Sequence, residues 1–213
     1  MFILQAKQKG VAMTVIGITG PSGAGKGAVS AILHNKYGFN VIDADSIYHS
    51  LVSAPSPCLD EVRLHFGDSV INEDGALDRA ALSMLVFGEE NKEKLLLLNN
   101  ITHKYVVGKI SSDIEDSKSR NANCVVDAPL LIEAEIQKHC DFTISVLADK
   151  QTRVDRIMSR DNISYEKALS RISSQKSDEY YRSHTDHVIV NDGDVSLLES
   201  SVAKILSKRR VAI

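Results

Sequence analysis

The feature that most constrains this chain is a glycine-rich loop between an apolar run and an amphipathic segment. Gly20-Pro21-Ser22-Gly23-Ala24-Gly25-Lys26 matches the pattern G-x-x-x-x-G-K. The apolar run before it, residues 15–19, is typical of a buried strand, and residues 26–37 have helical spacing. Such glycines let backbone N–H groups fold inward around a phosphate, and the N-terminus of the following helix adds partial positive charge. The sequence therefore predicts a site for the phosphates of a nucleotide. Its predicted residues are Gly20, Ser22, Gly23, Ala24, Gly25, Lys26, Gly27 and Ala28.

One expected side chain is missing from this loop. A phosphate loop of this kind normally continues with Ser or Thr, whose hydroxyl binds Mg²⁺. Here Gly27 and Ala28 follow Lys26 instead. The departure removes the usual metal ligand of the loop, whereas the glycines and the lysine that hold phosphates are present.

Four more short apolar runs indicate the rest of a sheet, at residues 39–42, 124–126, 142–147 and 187–190. None of them alternates apolar with polar side chains, and most follow a helical pattern. Strands buried on both faces of a parallel sheet have this composition. The sequence therefore predicts an α/β fold of the P-loop NTPase type, with a five-stranded parallel sheet flanked by helices.

Two helical insertions interrupt the predicted core, which comprises approximately residues 14–53, 121–150 and 185–213 of a single domain. Residues 54–120 are helical in pattern and longer than a simple crossover needs, so we interpret them as a helical substrate subdomain. Residues 151–184 form a second helical segment, which is polar and rich in arginine. Only Ser111–Asn123 has the composition of a flexible polar linker.

Acidic residues follow two of the predicted strands. Asp43 and Asp45 come after residues 39–42, and Asp127 follows residues 124–126. Ligands of open parallel sheets bind outside the carboxyl ends of the strands. These carboxylates are therefore candidates for accepting a hydroxyl proton or for organising Mg²⁺, in the case of Asp127 through water. Alternatively, Asp45 caps the helix that starts at Ser46, and Asp127 only forms a turn.

Arginines recur in the second helical insertion. Arg153, Arg156 and Arg160 lie at spacings of three and four, so they share one face of a helix, and Arg171 and Gln175 follow on the next predicted helix. Arginine clusters suit bidentate binding of phosphate and the stabilisation of transition-state charge. The alternative is a solvated helix whose arginines form surface salt bridges.

Charge and composition argue against several classes of protein. The net charge is −3, and the longest basic block, Lys208-Arg209-Arg210, ends a predicted helix, so we expect no nucleic-acid partner. No apolar run reaches about 18 residues, so we expect no membrane span. Met1–Met13 lacks the continuous apolar stretch of a secretory signal. The three cysteines lie far apart and are expected to be reduced thiols. A cytoplasmic enzyme fits these observations.

A series of motifs runs through nearly the whole chain, from about Thr14 to Lys208. They are the phosphate loop, Val41-Ile42-Asp43-Ala44-Asp45, His65-Phe66-Gly67, Gly75-Ala76-Leu77-Asp78-Arg79, Thr102-His103, Asp127-Ala128-Pro129-Leu130-Leu131-Ile132-Glu133, Arg156 to Arg160-Asp161, and Arg171 to Gln175. In this order the set closely resembles the dephospho-CoA kinase family, and in combination it is highly specific. Two positions depart from the family pattern: Gly27-Ala28 in the loop, and Lys104 where the family usually has proline.

The resemblance implies ATP-dependent phosphorylation of the ribose 3′-hydroxyl of dephospho-CoA, the last step of coenzyme A synthesis, with Mg²⁺ as cofactor. It also implies a five-stranded parallel core, a helical acceptor-side domain at approximately residues 54–120 and a mobile lid at approximately residues 151–184. On this basis we expect Lys26 to neutralise the β- and γ-phosphates, Asp45 to accept the hydroxyl proton, and Arg156 and Arg160 to bind the phosphates from the lid. The expected acceptor-side residues are Asp43, Asp45, His65, Arg79 and His103.

Two other functions stay open at this level. One is a P-loop kinase of a nucleoside or nucleotide, against which the acceptor-side motifs between residues 65 and 103 argue. The other is a non-catalytic nucleotide-binding protein, which the altered loop allows but which would need neither Asp45 nor the lid arginines. A dehydrogenase is excluded. Tyr105-x-x-x-Lys109 resembles a reductase pair, but the glycine spacing is G-x-x-G-x-G rather than G-x-G-x-x-G.

Overall fold

Five parallel strands form the centre of the molecule. The computed structural model describes residues 13–53 and 55–213. Its strands are β1 (Val15–Thr19), β2 (Asn40–Asp43), β3 (Cys124–Asp127), β4 (Phe142–Leu147) and β5 (His187–Val190). They pair in the order β2-β3-β1-β4-β5, and each pairing is parallel. The predicted α/β fold with a five-stranded parallel sheet is confirmed.

Helices cover both faces of the sheet. They are α1 (Lys26–Tyr37), α2 (Ala44–Ser53), α3 (Pro57–Phe66), α4 (Arg79–Val86), α5 (Lys92–Ser119), α6 (Lys150–Asp161), α7 (Tyr165–Ser173), α8 (Asp178–His184) and α9 (Val195–Arg209). Because successive strand residues point to opposite faces, Ile16 and Ile18 of β1 pack with α1 and α9, whereas Val15 packs with α5. Both faces are therefore apolar, which explains why the strand sequences show no polar alternation.

The helices between α2 and the end of α5 enclose a core of their own. Val62 of α3, Leu82 of α4 and Leu98 of α5 are buried in it. The start of α3 is fixed by Ser56, whose hydroxyl accepts a hydrogen bond from the N–H of Leu59 at 3.0 Å. A separate core is what a substrate subdomain requires, although the division of the chain at residues 54, 121, 151 and 185 stays a prediction.

The predicted flexible linker at Ser111–Asn123 is wrong for most of its length. Helix α5 continues without interruption to Ser119. Its buried residues Ile110, Ile114 and Ser117 lie on one face, and the two isoleucines pack beside Cys124. This spacing of four and three residues is the helical signal, and the polar residues between them face solvent.

The second helical insertion consists of α6, α7 and α8. A small apolar stripe of Val154, Ile157 and Ala168 joins α6 to α7, and the remaining surface is polar. Asp149 begins α6, and its carboxylate accepts a hydrogen bond from the N–H of Thr152 at 2.9 Å. A narrow buried stripe accounts for the unusually polar sequence of this segment.

Within residues 13–53 and 55–213, no helix is both long and apolar enough to span a membrane. The stretch Met1–Met13, for which the sequence predicts no secretory signal, lies outside the described residues except for Met13.

Candidate functional site

The predicted site residues come together at the carboxyl edge of the sheet. The glycine-rich loop follows β1, Asp43 ends β2, and Asp45 lies in the first turn of α2. Asp127 ends β3, which lies between β1 and β2. Helix α6 approaches from the other side. These segments line one cavity of about 380 Å³, here called the phosphate cavity. Its lining residues are Gly23, Gly25, Lys26, Gly27, Asp43, Asp45, Asp127, Arg156 and Arg160.

Two glycines of the loop are required by its conformation and by its neighbours. Gly23 has a φ of 80° and Gly25 a φ of 93°, in the left-handed region that side chains disfavour. A Cβ atom on Gly23 would lie 2.7 Å from the carbonyl oxygen of Arg153, and one on Gly25 would lie 2.1 Å from Nδ2 of Asn191. The loop therefore holds its shape partly because α6 and the end of β5 pack directly against it.

Lys26 lies at the centre of the phosphate cavity. Its Nζ donates a hydrogen bond to the carbonyl oxygen of Gly20 at 2.9 Å. Burial lowers the pKa of Lys26, whereas the nearby carboxylates of Asp127 and Asp45 raise it. Lys26 is thus a partly buried ammonium group on which two carboxylates act electrostatically, and bound phosphate oxygens would add further compensation for its charge.

Asp127 contacts α1 as well as the cavity. Its Oδ2 accepts a hydrogen bond from the buried hydroxyl of Ser30 at 2.8 Å. Burial raises the pKa of Asp127, and the Ser30 hydrogen bond and the charge of Lys26 act in the opposite direction. Ser30 was not among the predicted site residues. The signal for it was its position one helical turn after Gly27, on the same side of α1.

The acidic pair after β2 has two distinct roles in the structure. Oδ1 of Asp43 accepts a hydrogen bond from the N–H of Ser46 at 2.9 Å, so Asp43 caps α2. The interpretation of Asp45 as the cap is therefore wrong. Asp45 lies exposed in the first turn of α2, and its side chain borders the phosphate cavity. Asp43 thus caps the helix, and the side chain of Asp45 is free of that role.

Arg153 and Gln175 hold the outside of the loop. Arg153 is 5% exposed, and its Nε donates to the carbonyl oxygen of Ser22 at 3.0 Å. The Oε1 atom of Gln175 accepts hydrogen bonds from Arg153 at 2.8 Å and from the N–H of Ser22 at 3.2 Å. Neither residue was a predicted site residue, although both belong to the arginine-rich pattern. Their contacts fix the backbone of the loop rather than reaching a ligand.

Arg156 and Asn191 hold the next part of the loop in the same way. Arg156 donates to the carbonyl oxygens of Gly23 at 3.2 Å and Asn191 at 3.0 Å. Nδ2 of Asn191 donates to the carbonyl oxygen of Ala24 at 2.8 Å. Asn191-Asp192-Gly193 has the composition of a turn, so nothing in the local sequence marks Asn191 as a contact of the loop. The alternative of a solvated helix does not fit Arg153 or Arg156, because their guanidinium groups donate hydrogen bonds to backbone carbonyl oxygens of the loop.

Arg160 is more exposed than the other two arginines. It forms two hydrogen bonds with Asp161, at 2.7 and 2.9 Å, and a weaker one with the hydroxyl of Ser22 at 3.4 Å. Asp161 also contacts Arg171, and these bonds lower the pKa of Asp161 to about 2. Arg160 therefore borders the phosphate cavity with a guanidinium group that can turn toward a ligand.

Two further cavities open from Asp45. The first, of about 230 Å³, is here called the apolar slot, and it lies between α2, α5 and the segment after β3. Besides Asp45, it is lined among others by Tyr48, Leu98, His103, Val106 and Ala128. The second, of about 510 Å³, is here called the basic cleft. It lies between the loop, the segment after β3 and the second helical insertion, and its charged lining residues are Lys26, Asp45, Glu133, Arg160, Arg171 and Lys176.

The predicted acceptor-side residues do not all gather in these cavities. His103 lines the apolar slot, and burial lowers its pKa, which favours the neutral imidazole. His65 and Arg79 are exposed on the helical segment and line none of the three cavities. Arg79 contacts His49, and its charge acts on the neighbouring Tyr48 of the slot.

The carboxylates of the phosphate cavity suit a Mg²⁺ ion shared with a nucleotide. Among the described residues, no three His, Cys, Asp or Glu side chains converge as a metal cage. Mg²⁺ in phosphoryl-transfer enzymes is usually held by one or two carboxylates, several waters and substrate phosphates. Asp127 and Asp45, both next to the loop, match this pattern.

Comparisons with known proteins agree with this geometry. The family model described as dephospho-CoA kinase matches residues 14–196. A dephospho-CoA kinase of Carboxydothermus hydrogenoformans is 36% identical over 197 residues, covering 92% of this chain and 94% of its own. A dephospho-CoA kinase of Staphylococcus haemolyticus is 34% identical over 195 residues, covering 92% of this chain and 95% of its own.

Solved structures give the same result. A protein of Thermus thermophilus superposes with a TM-score of 0.75 at 30% identity, covering 92% of this chain and 98% of its own. A dephospho-CoA kinase of Campylobacter jejuni gives 0.58 at 25% identity, with 92% and 97% covered. Shikimate kinase of Acinetobacter baumannii, at 15% identity and a TM-score of 0.56, shares the fold, with 95% and 97% covered.

Proposed function

Because this chain belongs to the dephospho-CoA kinase family, we propose that it transfers the γ-phosphoryl group of ATP to the ribose 3′-hydroxyl of dephospho-CoA, which yields coenzyme A and ADP. The observation that carries the proposal is the meeting of three cavities at Asp45: one suited to phosphates, one apolar and one basic. A phosphate donor and a large acceptor can therefore approach the same carboxylate. The predicted family and fold are both confirmed.

The loop and Lys26 bind the donor in this proposal. Backbone N–H groups of the loop and the N-terminus of α1 surround the β-phosphate, and Lys26 reaches the oxygens between the β- and γ-phosphates. To do so its Nζ leaves the carbonyl oxygen of Gly20, which it contacts at 2.9 Å. The clamp formed by Arg153, Gln175, Arg156 and Asn191 holds the loop in shape before the nucleotide arrives. Little reorganisation is then needed during the reaction.

Asp45 acts as the general base. The 3′-hydroxyl oxygen forms a bond to the γ-phosphorus while its proton moves to the Asp45 carboxylate. The bond between the γ-phosphorus and the bridging oxygen breaks, and its electron pair stays on the β-phosphate of ADP. Phosphoryl transfer needs mainly positioning and charge stabilisation, which these residues supply.

Mg²⁺ is the proposed metal cofactor, and when bound it would neutralise charge on the β- and γ-phosphates. Asp127 would hold it, through water, from the end of β3. Ser30 fixes the orientation of the Asp127 carboxylate, and its hydroxyl stands beside that carboxylate in a chain that has no hydroxyl at Gly27 or Ala28. We also place the enzyme in the cytoplasm, a proposal supported by its three unpaired thiols.

Turnover of dephospho-CoA tests the proposed function directly. With ATP, Mg²⁺ and dephospho-CoA, we expect stoichiometric formation of ADP and coenzyme A, measured by coupled ADP release and chromatography. Chelation of Mg²⁺ should reduce the rate to background, and readdition should restore it. Adenosine and other nucleosides serve as acceptor controls. Preferential phosphorylation of a nucleoside would instead identify a nucleoside kinase, and ATP binding without any transfer would identify a nucleotide-binding protein.

The lid arginines give a second prediction. Arg160→Ala should lower kcat by about 10- to 100-fold with little change in KM for either substrate, because it removes one charge-assisted contact to the transition state. Arg156→Ala should lower kcat and also the melting temperature, because Arg156 braces the loop through backbone carbonyls. Kinetics and thermal melts of both variants are compared with Arg182→Ala, which changes an exposed arginine of α8 outside the three cavities. Wild-type kinetics for Arg160→Ala would contradict its proposed role.

A further inference from the structure

The basic cleft carries more positive charge than the transferred phosphoryl group requires. Four cationic side chains line it, namely Lys26, Arg160, Arg171 and Lys176, against the two carboxylates of Asp45 and Glu133. Lys26 and Arg160 also border the phosphate cavity, whereas Arg171 and Lys176 do not. The last two therefore provide an anion-binding surface beside the reaction centre.

The shape of the acceptor explains why two cavities of different chemistry both border Asp45. The 3′-hydroxyl of dephospho-CoA lies on a ribose whose 1′-carbon carries adenine and whose 5′-carbon carries a diphosphate. A flat uncharged base and a doubly charged group thus leave the same sugar in different directions. The apolar slot suits the base, and the basic cleft suits the diphosphate.

Resting on the function proposed above, we propose that the basic cleft is the binding site for the 5′-diphosphate of the acceptor, and that Lys176 and Arg171 are its specificity-determining residues. Pro129 and Leu130, which also line the cleft, follow β3, on the same side of the loop as Asp43 and Asp45. The cleft therefore opens toward the acceptor side of the sheet. The phosphates of ATP occupy the phosphate cavity and leave Arg171 and Lys176 available.

Lys176 is the more informative of the two residues. In the part of the chain that the structure describes, its Nζ forms no salt bridge and lies 5.2 Å from the ring centre of Tyr180. Arg171 is instead shared with Asp161, which also binds Arg160. Removal of the Lys176 charge thus leaves the Asp161 network unchanged, whereas removal of Arg171 would disturb Arg160 as well.

Acceptors that lack the diphosphate test this assignment. For Lys176→Ala, we expect kcat/KM for dephospho-CoA to fall about 10- to 100-fold, the effect of losing a charge-assisted contact to phosphate. With adenosine as acceptor the change should stay within about twofold, and KM for ATP should not change. Lys167→Ala is the matched control, because it removes an exposed lysine of α7 that lines none of the three cavities.

The outcomes separate the alternatives. Equal losses with dephospho-CoA and adenosine would overturn the assignment, since Lys176 would then act on transfer itself, and a raised KM for ATP would assign the cleft to the donor. Calorimetric titration with dephospho-CoA alone gives a second readout that does not depend on adenosine turnover. Its dissociation constant should rise about 10-fold or more in Lys176→Ala and not in Lys167→Ala, and equal affinities would overturn the proposal. Failure of the wild-type protein to phosphorylate dephospho-CoA would contradict the proposed function instead.

Discussion

Lys26→Ala should lower kcat by about 10³-fold or more, which places turnover near the detection limit. The side chain lies in the middle of the phosphate cavity, and the loop supplies no other cation to the β- and γ-phosphates. Burial raises the pKa of Asp127, and the positive charge of Lys26 lowers it. Loss of that charge would therefore raise the pKa of Asp127 further. Both effects act on the same step. The measurement is ADP release at saturating ATP, Mg²⁺ and dephospho-CoA.

The fold should survive this substitution. Lys26 contributes a hydrogen bond to Gly20 but no apolar packing to the sheet core. Lys26→Met keeps most of the aliphatic side chain and should be as inactive as the alanine variant, which shows that the charge matters rather than the volume. Circular dichroism melts of both variants should resemble that of the wild type. Retention of more than about a tenth of normal turnover by a well-folded variant would contradict the role of Lys26 in transfer.

The fold and the centre of the site could be predicted because their signals are local. The strand, loop and helix around Lys26 are contiguous, and the positive φ angles of the loop favour glycine at Gly23 and Gly25. Asp45 and Asp127 follow apolar strands directly, and the rule for carboxyl ends of parallel strands brings them to one edge. Each of these inferences needs only a short window of sequence and one general rule of topology.

The clamp around the loop could not be predicted, because its contacts join distant parts of the chain. Arg153 and Ser22 are 131 residues apart, Asn191 and Ala24 are 167 apart, and Ser30 and Asp127 are 97 apart. A sequence pattern shows that arginines share a helical face, but not which face packs against which loop. The pattern therefore identified Arg156 as a ligand-binding residue and missed its contacts to backbone carbonyls.

The acceptor side was predicted least well, for a related reason. The motifs around His65 and Arg79 suggested acceptor contacts, yet both side chains are exposed and line none of the three cavities. The helical segment has its own core and meets the sheet through α5. The positions of its exposed residues therefore depend on how helices pack, which periodicity alone does not specify. Of the three acceptor-side residues expected on the helical segment, His103 alone lines one of the three cavities, whereas Asp45, just after β2, lines all of them.

Asp45→Asn should lower kcat by roughly 10²–10⁴-fold while the affinity for ATP changes little, the range expected when a general base is removed. The amide keeps the size and hydrogen-bonding shape of the side chain but cannot accept the proton of the 3′-hydroxyl. Asp43, not Asp45, caps α2, so the substitution leaves the start of this helix intact. A small loss of stability, about 0.3–1 kcal/mol, is expected because a negative charge leaves the first turn of a helix.

Asp60→Asn is the matched control for this prediction, since Asp60 is an exposed carboxylate in the first turn of α3 and lines none of the three cavities. It should show the same small stability change with unaltered kcat. Steady-state kinetics and calorimetric titration with ATP and Mg²⁺ separate the possible roles of Asp45. A comparable loss of ATP–Mg²⁺ affinity would reassign Asp45 from base to metal-organising residue, in line with its position beside Asp127. A kcat within about threefold of the wild type would show that the reaction proceeds without a general base, because the loop, Lys26 and the lid arginines stabilise the transition state well enough for the proton to leave to water.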